Sequence, residues 1–581
     1  MSELTGKKDK LKKYRYIPFI IITVLIPLAK YRIRVYHNEE IKKVLLRTQW
    51  YDDYYCLIKV LLLYLAVFLM LVAYTFRKNE DKKFPAILYF LIPYNICLLL
   101  SVCFSDYKIT ALFGIVDMYE GGLTQLCYCC ILLFSYYLIS DPEDMIAIIK
   151  MALAASVAVT VPGVLEFSGV LPLEQPNTLS STIGNSNYVG TYGAVLLPVA
   201  VAVVLIEANS VKQVTYFLFF FGSAFFLLSG SASRAGYLAV FATILFFFAV
   251  LRRAAEIRAK WMLAFVLYGL CIFLSMNLYK NGLLWEEIKS MNPFKSEQGQ
   301  DRLIFKDIKL QGASAAIETN RWFLRIENTG DGFKMYNESG GEIPVQKDEN
   351  TLKFLDEPYT DITGYVDETT ELSWLMLEIE GKDIEFVLID GKMKVVGYNG
   401  QITDIFPVES FGFKGKESFA SGRGYIWSRA IPLLKKAAVI GYGPDTFTFI
   451  FPQNDIVGKL NYGAIWAIIG KPHNWYLQVA LGSGIVSLLC LISIFAWYII
   501  KTLGNIVKAL KKGEKSANGD LMTWEIKREL ILTTGILVSV MAYLISGLFN
   551  DSMVAVSPLF WMLLGFGISL TQRGKDAHPE K

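Results

Sequence analysis

Only three histidines occur in the 581 residues. One of them, His473, stands in IIGKPHNWYLQVALGSG (468–484), behind Pro472 and ahead of Asn474, where a polar stretch runs into an apolar one. A neutral imidazole can take a proton from an attacking hydroxyl near pH 7. Arginines add a fixed fork that matches phosphate oxygens and keeps its charge even against a membrane. Two lie among small residues, Arg234 in SGSASRAGY (229–237) and Arg423 in SGRGYIW (421–427). One histidine with arginines fits a transfer reaction with a phosphate-bearing leaving group. The imidazole would act as base, and the guanidiniums would stabilise charge on the departing diphosphate without a protein-bound metal.

Further polar clusters are ALFGIVDMYEGGLT (111–124) with Tyr119 and Glu120, STIGNSNYVGTY (181–192) with Asn185 and Asn187, and GYGPDTF (441–447) with Asp445. Each also has a plain structural reading. Arg234 can snorkel to lipid headgroups, Asn185 and Asn187 can cap a helix, Tyr119 and Glu120 can mark a helix start, and Gly441 to Pro444 can be a turn. His473 beside Trp475 and Tyr476 can belong to an interfacial aromatic belt. No Walker motif, dinucleotide glycine fingerprint or Gly-x-Ser-x-Gly elbow occurs, so no cofactor is implied.

The elements that must position these residues are written in the hydropathy. The chain is 54% hydrophobic and 19% charged, with its apolar residues in long runs. That is the profile of an all-α polytopic membrane protein. Runs at 15–30, 56–75, 84–104, 122–140, 144–169, 188–206, 213–230, 235–251, 261–279, 483–501, 530–548 and 554–570 predict about twelve transmembrane helices, the first retained as a span. An even number puts Lys7 to Lys13, Arg77 and Lys78, Arg252 and Arg253, Lys511 and Lys512, and Arg573 on one side, which the positive-inside rule makes cytoplasmic. The basic segment Lys30 to Arg47 then falls outside, against that rule. The net charge of +4 gives no reason to expect a nucleic-acid partner.

Between the runs, the chain divides into a first membrane part (1–279), an extracytoplasmic insert (280–420), a catalytic loop (421–482), and a last membrane part with a cytoplasmic tail (483–581). The insert carries a β-rich core at about 312–408. WFLRIE (322–327) and MLEIEGKDIEFVLIDGKMKVVGYNG (376–400) alternate apolar and polar residues around an Asp390-Gly391 hairpin signal. Trp322, Trp374 and Tyr398 suit either sugar stacking or the core of a small sandwich. All eight cysteines lie in or beside apolar runs, which implies neither a disulfide framework nor a metal site.

In their order, GNSNY, the Ser-Arg of SASRAGY, SGRGYIW, GYGPDTF and HNWYLQVALGSG resemble the O-antigen ligase family, which includes polysaccharide polymerases and protein O-oligosaccharyltransferases. The resemblance covers about 105–570. It implies a metal-independent, inverting glycosyltransferase of the cytoplasmic membrane with its catalytic face extracytoplasmic. The donor would be an undecaprenyl diphosphate-linked glycan, and the acceptor a lipid, wall polymer, protein or growing glycan. It further implies His473 as the catalytic histidine and Arg234 and Arg423 as the diphosphate-holding arginines. Asn185 and Asp445 match motif positions, while Asn187, Tyr119, Glu120 and Asn474 would line the substrate. The β-rich insert departs from the family pattern. Two other readings compete: a metal-dependent enzyme using Asp52 and Asp53, and a lipid-linked oligosaccharide transporter.

Overall fold

The computed structural model describes residues 14–576 apart from 43–49, 77–81, 173–177, 208, 255–258, 291–302, 331, 368–372, 415, 464 and 516–522. The Lys7 to Lys13 cluster and Arg77 and Lys78 therefore lie outside the described residues.

Among the described residues, nine helices are long and apolar enough to cross a membrane by length and composition. These are Cys56–Thr75, Ala86–Phe104, Pro142–Phe167, Ser186–Ile206, Ser210–Gly230, Arg234–Arg253, Lys260–Tyr279, Ile485–Lys511 and Trp524–Ser546. These nine do not confirm the expected count of about twelve. Ile17–Leu28 and Gly122–Leu138 are apolar but shorter. At about 1.5 Å per residue, Ile17–Leu28 falls well short of a hydrocarbon core about 30 Å thick. The helix Ser557–Asp576 is not among the nine.

Ser186–Ile206 is the hub of the bundle, with its whole apolar window buried. Small residues let its neighbours approach. A Cβ on Gly193 would meet the Leu228 amide nitrogen at 2.7 Å, and one on Gly535 would meet Ala202 Cβ at 2.7 Å. In a lipid solvent, where burial of apolar surface gives no net drive between helices, such close approach is what holds them together.

Two sets of strands sit on the bundle. The hairpin β1 (Ile33–Tyr36) and β2 (Trp50–Asp53) pairs Ile33 with Asp53 and Tyr36 with Trp50. The insert is a pair of antiparallel meanders, one running from β3 (Phe305–Gln311) through β4 (Ser314–Thr319) and β5 (Phe323–Asn328) to β6 (Phe333–Tyr336). The other has seven strands, from β7 (Val345–Asp348) to β13 (Ile402–Thr403). Within it, β10 (Ser373–Ile379) buries Leu375, Leu377 and Ile379 on one face, the period-2 pattern of a half-buried strand. Asp390 and Gly391 join β11 (Lys382–Ile389) to β12 (Lys392–Val396) with φ of 50° and 71°, the left-handed pair that a tight hairpin requires.

The first strand begins at Phe305, ahead of the expected limit of 312. The division between insert and catalytic loop also does not hold as a packing boundary. Ile456, Leu460 and Ile465, from the loop, are buried in the same core as Ile317, Leu324, Leu375 and Phe386. Asn461 brackets Phe305, accepting from its amide at 2.9 Å and donating to its carbonyl at 2.8 Å. Trp322 packs against that core and Tyr398 is buried.

Candidate active site

His473 has a left-handed backbone, φ 49°, and sits one residue before the cap of the helix Trp475–Ser483. Asn474 is that cap, its side chain accepting from the Leu477 amide at 2.9 Å. Both residues are tied to the short connector between the helices Trp524–Ser546 and Ser557–Asp576. Asn474 donates to the Leu548 carbonyl at 3.0 Å, and the Trp475 amide donates to the Gly547 carbonyl at 2.8 Å. His473 Nδ1 lies 3.2 Å from Oδ2 of the fully buried Asp551, whose Oδ1 accepts from the Asn474 amide at 3.3 Å. Burial pushes the Asp551 carboxyl up. The hydrogen bond and charge of His473, with Lys471 and the Asn474 amide, outweigh burial and hold it below the usual range.

The same connector holds Arg423. Its Nε donates to the Phe549 carbonyl at 2.9 Å and its Nη1 to the Ala420 carbonyl at 2.8 Å. Ala420, Ser421 and Gly422, just before it, run through left-handed backbone at φ 51°, 61° and 85°. Non-glycine residues adopt that conformation only at a cost of about 1–2 kcal/mol each, so the turn is held by what surrounds it. Burial lowers the Arg423 pKa, Asp551 counters this, and nearby Arg234 adds to the lowering.

Arg234 begins the helix Arg234–Ala254. A Cβ on Gly236 would meet the Gly190 carbonyl oxygen at 2.9 Å, and one on Gly190 would meet Ser233 Cβ at 2.3 Å. That close approach sets the start of Arg234–Ala254 against the helix that begins at Ser186. Arg234 Nη1 donates to Ser421 Oγ at 3.1 Å, and its Nε to Glu287 at 3.0 Å. The two arginines, distant in sequence, therefore meet around one turn.

Asn185 caps Ser186–Ile206, accepting from the Asn187 amide at 2.9 Å. The Asn187 carbonyl accepts from Asn550 at 3.3 Å, so this helix start too is joined to the connector. Asp445, with φ 60°, uses Oδ2 to accept from the amides of Ile115 at 2.8 Å and Glu120 at 3.1 Å, which fastens the 115–120 loop to the outer segment. Burial drives its carboxyl up to about 7. Glu120 is buried and accepts from Tyr128 at 2.6 Å and Gln125 at 2.9 Å. Burial raises it to about 8 despite those donors. Tyr119 is buried beside it with φ 53°. Met118, Asp445, Lys471, Pro472 and Gln478 line a small pocket.

The connector was missed in the sequence because it is short. FNDS (549–552) falls between two apolar runs, and its Asn-Asp-Ser was the available signal. The suggested Asp52–Asp53 pair does not act as one unit. On adjacent strand positions their side chains diverge: Asp52 pairs with Arg32 and Arg34, while buried Asp53 caps the helix Cys56–Thr75 through the Cys56 amide at 2.9 Å.

No curated protein and no solved structure matches the chain. A family model described as O-antigen ligase matches residues 386–492, which include Arg423, Asp445, His473 and Asn474 and leave out Arg234, Tyr119, Asn185 and Asp551. The resemblance carried by the ordered motifs is thereby supported over residues 386–492, the stretch in which the chain is similar to the O-antigen ligase family.

Proposed function

We propose that this chain is a glycosyltransferase of surface polysaccharide synthesis. It moves a glycan from an undecaprenyl diphosphate carrier to an acceptor hydroxyl at the outer face of the cytoplasmic membrane. The observation that carries the reading is the approach of His473 Nδ1 to buried Asp551, in the connector whose Phe549 carbonyl holds Arg423. A carboxylate at Nδ1 favours the tautomer with its proton there, leaving Nε2 free to accept one.

In the reaction, Nε2 takes the acceptor proton as the hydroxyl oxygen bonds to the anomeric carbon. The bond from that carbon to the diphosphate oxygen breaks, and the electron pair leaves on the carrier. Attack opposite the leaving group inverts the anomeric centre. Arg423 and Arg234 meet the growing charge on the diphosphate, and Asp551 stabilises the imidazolium. Asn185, Asp445 and Glu120 serve by fixing helix starts and the 115–120 loop. A growing glycan as acceptor would make the same chemistry a polymerase.

The test is glycan transfer by the purified full chain from a lipid diphosphate donor. His473→Ala, with unchanged elution and thermal stability, should abolish transfer while retaining donor binding. Full activity in that variant removes the assignment.

A further inference from the structure

The start of the helix Cys56–Thr75 carries a cluster that the transfer reaction does not use. A carboxylate oxygen of Asp53, Cys56 Sγ and a carboxylate oxygen of Asp117 lie within 4.8 Å of one another. Asp53 Oδ1 accepts from the amides of Tyr55, Cys56 and Leu57 at 3.1, 2.9 and 3.0 Å. Its Oδ2 is buried and has no hydrogen-bond partner. Lys59, one turn further on, gives its ammonium to the Thr182 carbonyl at 2.5 Å.

A second unsatisfied group lies two residues from Asp117 in the same loop. Tyr119 is 8% exposed and its hydroxyl, too, is buried without a partner. Tyr51 borders the cluster by hydrogen bonding to Asp117. Buried polar atoms are nearly always satisfied by protein, water or an ion. Two carboxylates and a thiol within 4.8 Å of one another, with one buried carboxylate oxygen left unsatisfied, make a set that a cation would complete.

We propose that Asp53 Oδ2, Cys56 Sγ and the Asp117 carboxylate bind a divalent cation, with the Tyr119 hydroxyl as a fourth ligand. A thiolate among oxygens favours zinc over magnesium or calcium. Binding displaces the Cys56 proton to solvent, and exposed Asp117 provides the way in. The ion joins the β2 end and the helix start to the 115–120 loop, which Asp445 fastens from the other segment. It has no part in proton transfer or in holding the diphosphate, so the site stands independently of the transfer reading.

The test uses the full chain in detergent, stripped with a chelator and titrated with Co2+. Wild type should take up about one equivalent, with a thiolate-to-cobalt charge-transfer band that Zn2+ abolishes by displacement. Cys56→Ser should lose the band, and Asp117→Asn should bind at least tenfold more weakly. Asp117 is on the surface, so its variant answers even where Cys56→Ser fails to fold. Absence of a band in wild type, persistence of the band in Cys56→Ser, or unchanged affinity in Asp117→Asn would each overturn the proposal.

Discussion

His473 Nδ1 and Asp551 Oδ2 are 3.2 Å apart, with the carboxylate fully buried and the imidazole 41% exposed. The pair therefore has an anchored end and an open end. Asp551→Asn keeps the shape but presents an amide, which no longer favours the tautomer with a free Nε2. Turnover should fall by about 10²- to 10⁴-fold with little change in donor KM. Steady-state kinetics normalised to the active fraction, counted by stoichiometric donor binding, distinguishes this from a folding defect, which would lower that fraction.

Arg423 already donates to two carbonyls, and those bonds fix the plane of its guanidinium. Arg423→Lys retains a charge but not the fork, and lysine cannot hold both carbonyls and a diphosphate oxygen. Loss of one charged hydrogen bond at about 1.5–3 kcal/mol should weaken binding of undecaprenyl diphosphate by about ten- to a hundredfold. Binding measured by thermal shift or calorimetry checks this without requiring turnover.

Glu287 occupies Arg234 at 3.0 Å, each side chain about one-third exposed. A diphosphate reaching Arg234 must compete with that carboxylate. Removing its charge in Glu287→Gln should tighten donor binding severalfold, on the scale of about 0.2–1 kcal/mol for a partly exposed ion pair. The gain should vanish in an Arg234→Ala background, which a double-mutant cycle measures.

Burial lifts Glu120 from 4.5 to about 8 and Asp445 from 3.8 to about 7. Their folded-state values are raised, so between the unfolded and folded values the native chain binds more protons than the unfolded one. Stability contributed by these groups is complete below about pH 4 and is lost as pH rises through about 7 to 8. Thermal unfolding from pH 5 to 9 should show a falling midpoint, with a flatter slope in Glu120→Gln. An equal slope in the variant would refute the assignment of this effect to Glu120.

A Cβ on Gly422 would meet the Tyr462 ring at 2.2 Å, at a φ of 85°. Gly422→Ala should therefore lower stability and displace Arg423, with weaker donor binding than wild type at equal folded fraction. Tyr462→Ala in the same chain should restore part of the binding, because it removes the clash while leaving the backbone strain.

Features set by neighbours along the chain were legible in the sequence. The apolar runs marked the helices, the alternation over 376–400 and the Asp390-Gly391 turn marked the strands, and Asn474 after Pro472 marked a helix start. These depend on local hydrogen bonds and on periodicity, which one segment carries by itself. An apolar run shows composition but not where a helix begins and ends, so nine helices of spanning length do not confirm the expected twelve. Ile456, Leu460 and Ile465 look like ordinary loop apolars until the β core they complete is folded against them.

The ordered motifs were enough to pick out His473, Arg234 and Arg423. Their mutual placement was not in the sequence, since Arg234 and Ser421 are 187 residues apart and meet only in the folded chain. Asp551 had no pattern around it to set it apart from any polar connector. Only packing decided that its carboxylate would be buried beside His473, with Oδ1 accepting from the Asn474 amide and Oδ2 facing the imidazole. The sequence by itself determined which side chains were available for chemistry. The tertiary structure decided which of them hold one another in place.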